Sequence, residues 1–383
     1  MAREIRQLAF SLEEYSRRLA CVHAAMNERE LDAFLIHHRA QLCYLTGMEN
    51  CYMSAPYATL VPARGEPVLI ASEFEMFNAT ATSPWEDRKT FRVGENPLQI
   101  LARVLVERGF EQSRIGAQMN ALNAYQYAEL QSLLPRAAFQ DASTLLPEIM
   151  LVKSSEEIVH LREAGRLSTL GMAAALAECD AGVTDNNVAA AAYDAMVRGG
   201  SEFMCIEPIV TVGQRSGIPH STFRRTIIER GDSIFIEVGA CYFRYSAPLM
   251  RTATIAPASD KIRRAGDACR NSLSTLIEAM KPGVLACDAA TKATAAWTPL
   301  CEELIWHGIY GYSVGLGFPP DWNDAPAIIT ENADWVFEPG MCFHATTSLR
   351  SALRFGVALS ETVLITEDGN EVLTGTPREL RVV

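Results

Sequence analysis

The sequence predicts an α+β protein in two parts: a small α/β domain over residues 1–150, then a domain over residues 151–383 whose helices cover one side of a curved antiparallel sheet. Three observations carry this prediction. Up to about residue 147, short apolar runs bounded by turn residues alternate with helical patterns. At Ser154 and Glu157 the signature S-x-x-E opens a long helical pattern, and the texture of the chain changes there. Beyond it, paired helical patterns are separated by strand-rich stretches, 207–256 and 334–375, punctuated by glycine and proline.

The elements follow in order. Ser11 and Glu14 form a first S-x-x-E box, and Leu12, Tyr15, Leu19, Val22 and Met26 recur at helical spacing, so residues 11 to about 30 are an amphipathic helix. AFLI (33–36), YATLVPA and PVLIAS read as strands. Helical patterns cover 97–108, stopped by Gly109, and 122–134. In the second part, helices are predicted at 155–180, 185–198, 259–281 and 286–305. The stretch IEVGACYFRYSAPLMRTATI, residues 236–255, reads as a β-hairpin with Glu237 in its first strand.

Composition limits the function. With 383 residues, 49% of them hydrophobic, the chain buries a substantial core without staples. A net charge of −12 argues against the cationic surface that nucleic acid or anionic lipid requires. The ten cysteines include no C-x-x-C pair, the N-terminal stretch lacks a signal-peptide core, and no apolar run approaches the length of a membrane span. A soluble, cytoplasmic protein with reduced cysteines and no nucleic-acid or membrane partner is expected.

Chemistry is sought in scarce polar residues inside apolar strands, because burying them costs free energy. Glu237 in IFIEVGA and Glu361 in VALSETVLIT qualify, and each has the plainer alternative of a strand residue facing solvent. Two buried glutamates would bind a cationic group or divide the work of base and nucleophile. Among seven histidines, His220 stands in the Gly-Pro-flanked loop SGIPHSTF and is the candidate for proton transfer, whereas nothing beside His307 and His344 suggests a role. Tyr310 and Tyr312 punctuate the glycine-rich HGIYGYSVGLGF, which lacks both G-x-G-x-x-G and a P-loop lysine. There is no H-E-x-x-H.

Six phrases in order, "LCYLTG" (42–47), "LVKSSEEIVHLREAG", "IFIEVGACYFRYSAPLMRT", "GYSVGLGF", "FEPGMCFH" and "LSETVLITEDG", give the chain a resemblance to the creatinase/aminopeptidase P family and its pita-bread fold. That resemblance implies five metal-ligand positions, which fall on Glu237, Pro248, Tyr312, the neighbourhood of Thr346, and Glu361. Two carboxylates out of five imply no catalytic metal and no cofactor. His220, 17 residues before Glu237, matches the family's active-site histidine, and Met250 replaces a glutamate found in creatinase.

The resemblance thus implies a metal-independent hydrolase of a non-peptide C–N bond in a small zwitterion, with a cyclic amidine such as ectoine as first choice. His220, Glu237 and Glu361 are its expected catalytic residues, with Glu237 either nucleophile or general base. Tyr312 and Tyr245 are expected at the substrate. Tyr52 and Met53 are expected to reach the site from the partner subunit of a homodimer, or else to pack as ordinary apolar residues. A creatinase-like amidinohydrolase, a peptidase-like enzyme with one metal on Glu237 and Glu361, and a non-catalytic binding module are the alternatives.

Overall fold

The computed structural model describes residues 7–49, 58–298 and 304–383, and it begins with α1 (Leu12–Glu28). Ser11 Oγ accepts the amide of Glu14, as its cap position requires. The Glu14 carboxylate does not return to Ser11; it accepts from Arg17 and from the fully buried Arg18, whose guanidinium also donates to the Tyr44 carbonyl. An ion pair has displaced the second half of the predicted box.

The unit Met1–Met150 continues through β1 (Ala33–Ile36), α2 (Arg39–Thr46), β2 (Ala58–Pro62), β3 (Val68–Ser72), α3 (Met76–Thr82), β4 (Arg88–Phe91), α4 (Pro97–Glu107), β5 (Arg114–Ala117), α5 (Ala124–Leu133), β6 (Ala138–Asp141) and α6 (Leu145–Leu151). Its sheet has the order β4-β3-β2-β1-β5-β6, with β1–β2–β3 antiparallel and the outer pairings parallel. Leu35, Leu60 and Ile70 of the sheet meet Leu101 and Leu105 of α4 in one core. The Tyr52 and Met53 positions lie outside the described residues.

The unit Leu151–Val383 opens on α7 (Ser155–Glu178), started by a complete capping box between Ser154 and Glu157. It continues with α8 (Asp185–Gly199), β7 (Ile209–Val212), β8 (Ser233–Tyr242), β9 (Tyr245–Thr254), α9 (Asp260–Ala279), α10 (Ala286–Thr294), β10 (Ile305–Trp306), β11 (Gly311–Ser313), β12 (Ile328–Ile329), β13 (Cys342–Ser351), β14 (Phe355–Thr366), β15 (Gly369–Val372) and β16 (Arg381–Val382). The helix expected over 286–305 ends at Thr294, and Ile305–Trp306 is instead a strand paired with β13. Pro299 in the sequence between them is incompatible with a continuous helix.

Two sheets result, β16-β9-β8-β7 and β12-β11-β13-β14-β15, and they are joined where Thr252 and Ala358 exchange hydrogen bonds and the Met250 amide donates to Ser360 Oγ. The predicted hairpin is present: β8 and β9 turn at Phe243 and Arg244, both with positive φ (46° and 67°). Glu202 accepts both of their amides and holds that unfavourable turn. Helical side chains cover one face only. Ile234, Ile236, Val238 and Ala240 share a core with Leu167, Met172, Val188 and Ala192 of α7 and α8. Ala345, Leu349, Val357 and Leu359 share another with α9 and α10. The opposite face of both sheets is thereby left for a cavity.

Candidate active site

Strand alternation builds the site. On β8, the even positions are in the helix-covered core, so Phe235 and Glu237 face the other way, into a cavity of about 410 Å³. Strand β8 pairs on both sides, with β7 and β9, so Glu237 is not an edge residue exposed to solvent. It is 7% exposed, and its carboxylate has no hydrogen-bond partner among the described residues. Burial pushes its pKa up to about 7, against the opposing pull of the Arg350 charge.

On β13 the same period brings Thr346, Ser348 and Arg350 to the cavity, while Phe343, Ala345 and Leu349 pack on the helices. Arg350 donates to the Ser216 carbonyl at 2.5 Å and stacks 4.8 Å over the Phe235 ring, which fixes its guanidinium. Burial lowers its pKa, and Glu237 partly offsets this. His220 lines the cavity from the loop after β7 with φ of 54°, a strained conformation for a histidine. His307 lines it too, from the exposed rim, and desolvation at the cavity mouth together with the Arg350 charge holds its pKa below the ordinary value, with His220 adding a smaller push. Ile206, Ile209, Ile218, Ile309 and Met250 supply an apolar wall.

Tyr312, on β11, faces the cavity beside Trp322. The Trp322 indole N–H donates to Tyr312 Oη at 3.0 Å, and His344 Nδ1 lies 2.8 Å from the same oxygen. His344 Nε2 is 2.6 Å from Ser360 Oγ. Burial, and to a lesser degree His307, push the His344 pKa down to about 3, so the ring is neutral. Burial pushes the Tyr312 phenol up, reinforced by the Glu237 charge. The loop that carries Trp322 is anchored by a buried pair, Lys153 Nζ to Asp324 Oδ2 at 2.9 Å, and by Ser313 donating to Asp324 at 2.5 Å. Trp322 lies where a Cβ on Gly239 would be, 2.6 Å from its ring.

Two expected site residues are elsewhere. Glu361 pairs across the sheet with Ala345, a core-side residue, whereas Ser360 pairs with the cavity residue Thr346. One residue of phase therefore turns Glu361 away from the cavity. Its carboxylate is held by Arg251 at 2.6 Å, by Arg378 at 3.2 Å and by Thr374, in a cluster that also ties Arg251 to the carbonyls of Thr376 and Pro377. Tyr245 is fully buried, and its hydroxyl donates to Glu157 at 2.8 Å, closing the start of α7 onto β9 rather than contacting the cavity. Arg350, His307 and Trp322 were not singled out in the sequence. A signal for the first exists in HATTSLR, where His344, Thr346, Ser348 and Arg350 alternate at the strand period.

Among the described residues, Glu237 is the one carboxylate that lines the cavity. Pro248 has no donor atom, and Tyr312, Thr346 and Ser360 occupy the remaining positions on this face. Among the described residues no group of three His, Cys, Asp or Glu side chains is placed to hold a metal ion. One carboxylate with hydroxyls, and with His220 and His307 not grouped with it at ligand spacing, does not fit a pair of divalent cations.

A family model described as "Metallopeptidase family M24" matches residues 159–367, and one described as "Creatinase/Prolidase N-terminal domain" matches residues 18–152. An uncharacterised hydrolase/peptidase y4tM of Sinorhizobium fredii is 29% identical over 99% of this chain and 100% of its own. Ectoine hydrolase of Halomonas elongata is 28% identical over 98% of each. The crystal structure of dipeptidase PepE from Mycobacterium ulcerans superposes with a TM-score of 0.85 at 23% identity, covering 98% of this chain and 99% of that one. With a match over more than half its length and the pita-bread architecture of its structural neighbours, the chain belongs to metallopeptidase family M24.

Proposed function

We propose that the chain is a hydrolase that cleaves a C–N bond outside peptides in a small carboxylate-bearing compound, without a metal ion, with the ring opening of ectoine as the first reaction to test. The observation that carries this reading is Glu237: a buried carboxylate with no protein hydrogen-bond partner among the described residues, aimed into a cavity whose donor set does not suit two metals. The ectoine hydrolase relative supports the substrate class.

Each residue then has a task. Arg350, already oriented by Ser216 and Phe235, takes the substrate carboxylate with its planar fork. Glu237, with a pKa near neutrality, acts as general base: it accepts one proton of a water molecule as the water oxygen bonds to the scissile carbon. His220 carries a proton to the nitrogen as the C–N bond breaks, so that water is added across that bond and no electrons are gained or lost. Glu361 acts through structure, holding Arg251 beneath the joined sheets. The assembled enzyme is read as a homodimer on the family resemblance, and sedimentation should return twice the chain mass.

The test is turnover of ectoine, creatine and a dipeptide panel followed by NMR, before and after exhaustive chelation. Ring opening that survives chelation is the expected result. Dipeptide cleavage that vanishes with a stoichiometric metal would replace this reading with a peptidase.

A further inference from the structure

The hydrogen bonds behind the cavity wall form a chain whose direction follows from donor and acceptor counts. The Met250 amide donates to Ser360 Oγ at 2.6 Å, leaving that hydroxyl one proton to give. Its other partner among the described residues is His344 Nε2, at 2.6 Å. If Nε2 carried a proton, two donors would meet at Oγ and the serine proton would be buried with no acceptor, at the full cost of its desolvation. Nε2 is therefore the acceptor, and the neutral ring keeps its proton on Nδ1. Nδ1–H then points to Tyr312 Oη, which also receives the Trp322 indole N–H. With two hydrogen bonds arriving, the phenol proton has no acceptor in the wall.

We infer that this proton is aimed into the cavity, toward the oxygen that water addition places on the scissile carbon, and that Ser360, His344 and Trp322 are positioning residues that aim it. The direction of the proton stands on the hydrogen-bond chain alone, while its use on an adduct oxygen rests on the hydrolase reading proposed above. The ligand chemistry follows: this position takes an oxygen acceptor, here the hydroxyl that water addition leaves on the scissile carbon, and it repels an N–H donor. The two incoming hydrogen bonds polarise the phenol and make it a stronger donor.

Two readouts separate the inference from the hydrolase reading. Long-range proton–nitrogen NMR of the wild-type protein with labelled histidine reads the His344 tautomer directly, its signal assigned by the shift it undergoes in Ser360→Ala. A proton on Nδ1, unchanged from pH 5 to pH 9, is expected; a proton on Nε2 overturns the inference whatever the turnover. In an active enzyme, Tyr312→Phe should lower kcat by about 10²- to 10³-fold with KM little changed. Ser360→Ala should lower kcat by about tenfold, with recovery in Ser360→Thr. An unchanged kcat in Tyr312→Phe overturns the use of the proton. The Nδ1 tautomer in a protein that hydrolyses nothing would uphold the direction and remove the hydrolase reading.

Discussion

Glu237 couples the chemistry of the cavity to the stability of the fold. In the native state its carboxyl keeps a proton up to about pH 7, because burial disfavours the charge, whereas the ordinary value for a glutamate is 4.5. The native state therefore binds more protons than the unfolded state across this window, so stability falls as pH rises through it. Below the unfolded value nothing is lost, and above about pH 7 the cost levels off at about 3 kcal/mol. Glu237→Gln removes that cost: urea titrations should find the variant more stable than the parent by up to about 3 kcal/mol at pH 8 and equal to it at pH 4. The same variant should lose turnover by at least about 10³-fold, because amide nitrogen and oxygen cannot take the proton of water. In the parent, kcat/KM should rise through about pH 7 to a plateau as the base ionises.

At the scale of the element, β14 separates two chemistries by parity. Ser360 belongs to the cavity face and Glu361 to the arginine cluster, one residue apart. This phase was not legible in VALSETVLIT, where the polar triplet Ser360-Glu361-Thr362 lies between apolar runs that show no alternation from which to choose a face. The β8 acid was easier to find: the hairpin was evident from its β-branched and aromatic content, and Glu237 was the one charge within its first strand. Because Glu361 is the carboxylate partner of a buried arginine, Glu361→Gln should cost about 3–5 kcal/mol in equilibrium unfolding. The fraction that remains folded should hydrolyse substrate at a near-parental rate. Lost turnover in fully folded Glu361→Gln protein would return that residue to the reaction.

Across the whole molecule, the sequence was most legible where chemistry is local. Capping boxes at Ser154 and glycine at the end of α4 marked boundaries that the structure keeps within a few residues. The cavity is the opposite case. Glu237 on β8, His307 beyond β10, Tyr312 on β11, Trp322 in its loop and Arg350 on β13 meet only because β13 pairs with both β10 and β11 and β14 is bonded to β9. No window of sequence contains that pairing, so Arg350 looked like any strand-end arginine until its neighbours were known.

Gly239 adds a different kind of specification. Its missing side chain is the mould in which the Trp322 ring is cast, since a single methyl there would occupy the same space. The orientation of an indole, and with it one of the two bonds that reach the Tyr312 phenol, is thus written as an empty place on β8. A search for reactive groups passes over such a position, yet the cavity floor has its shape because one carbon atom is absent.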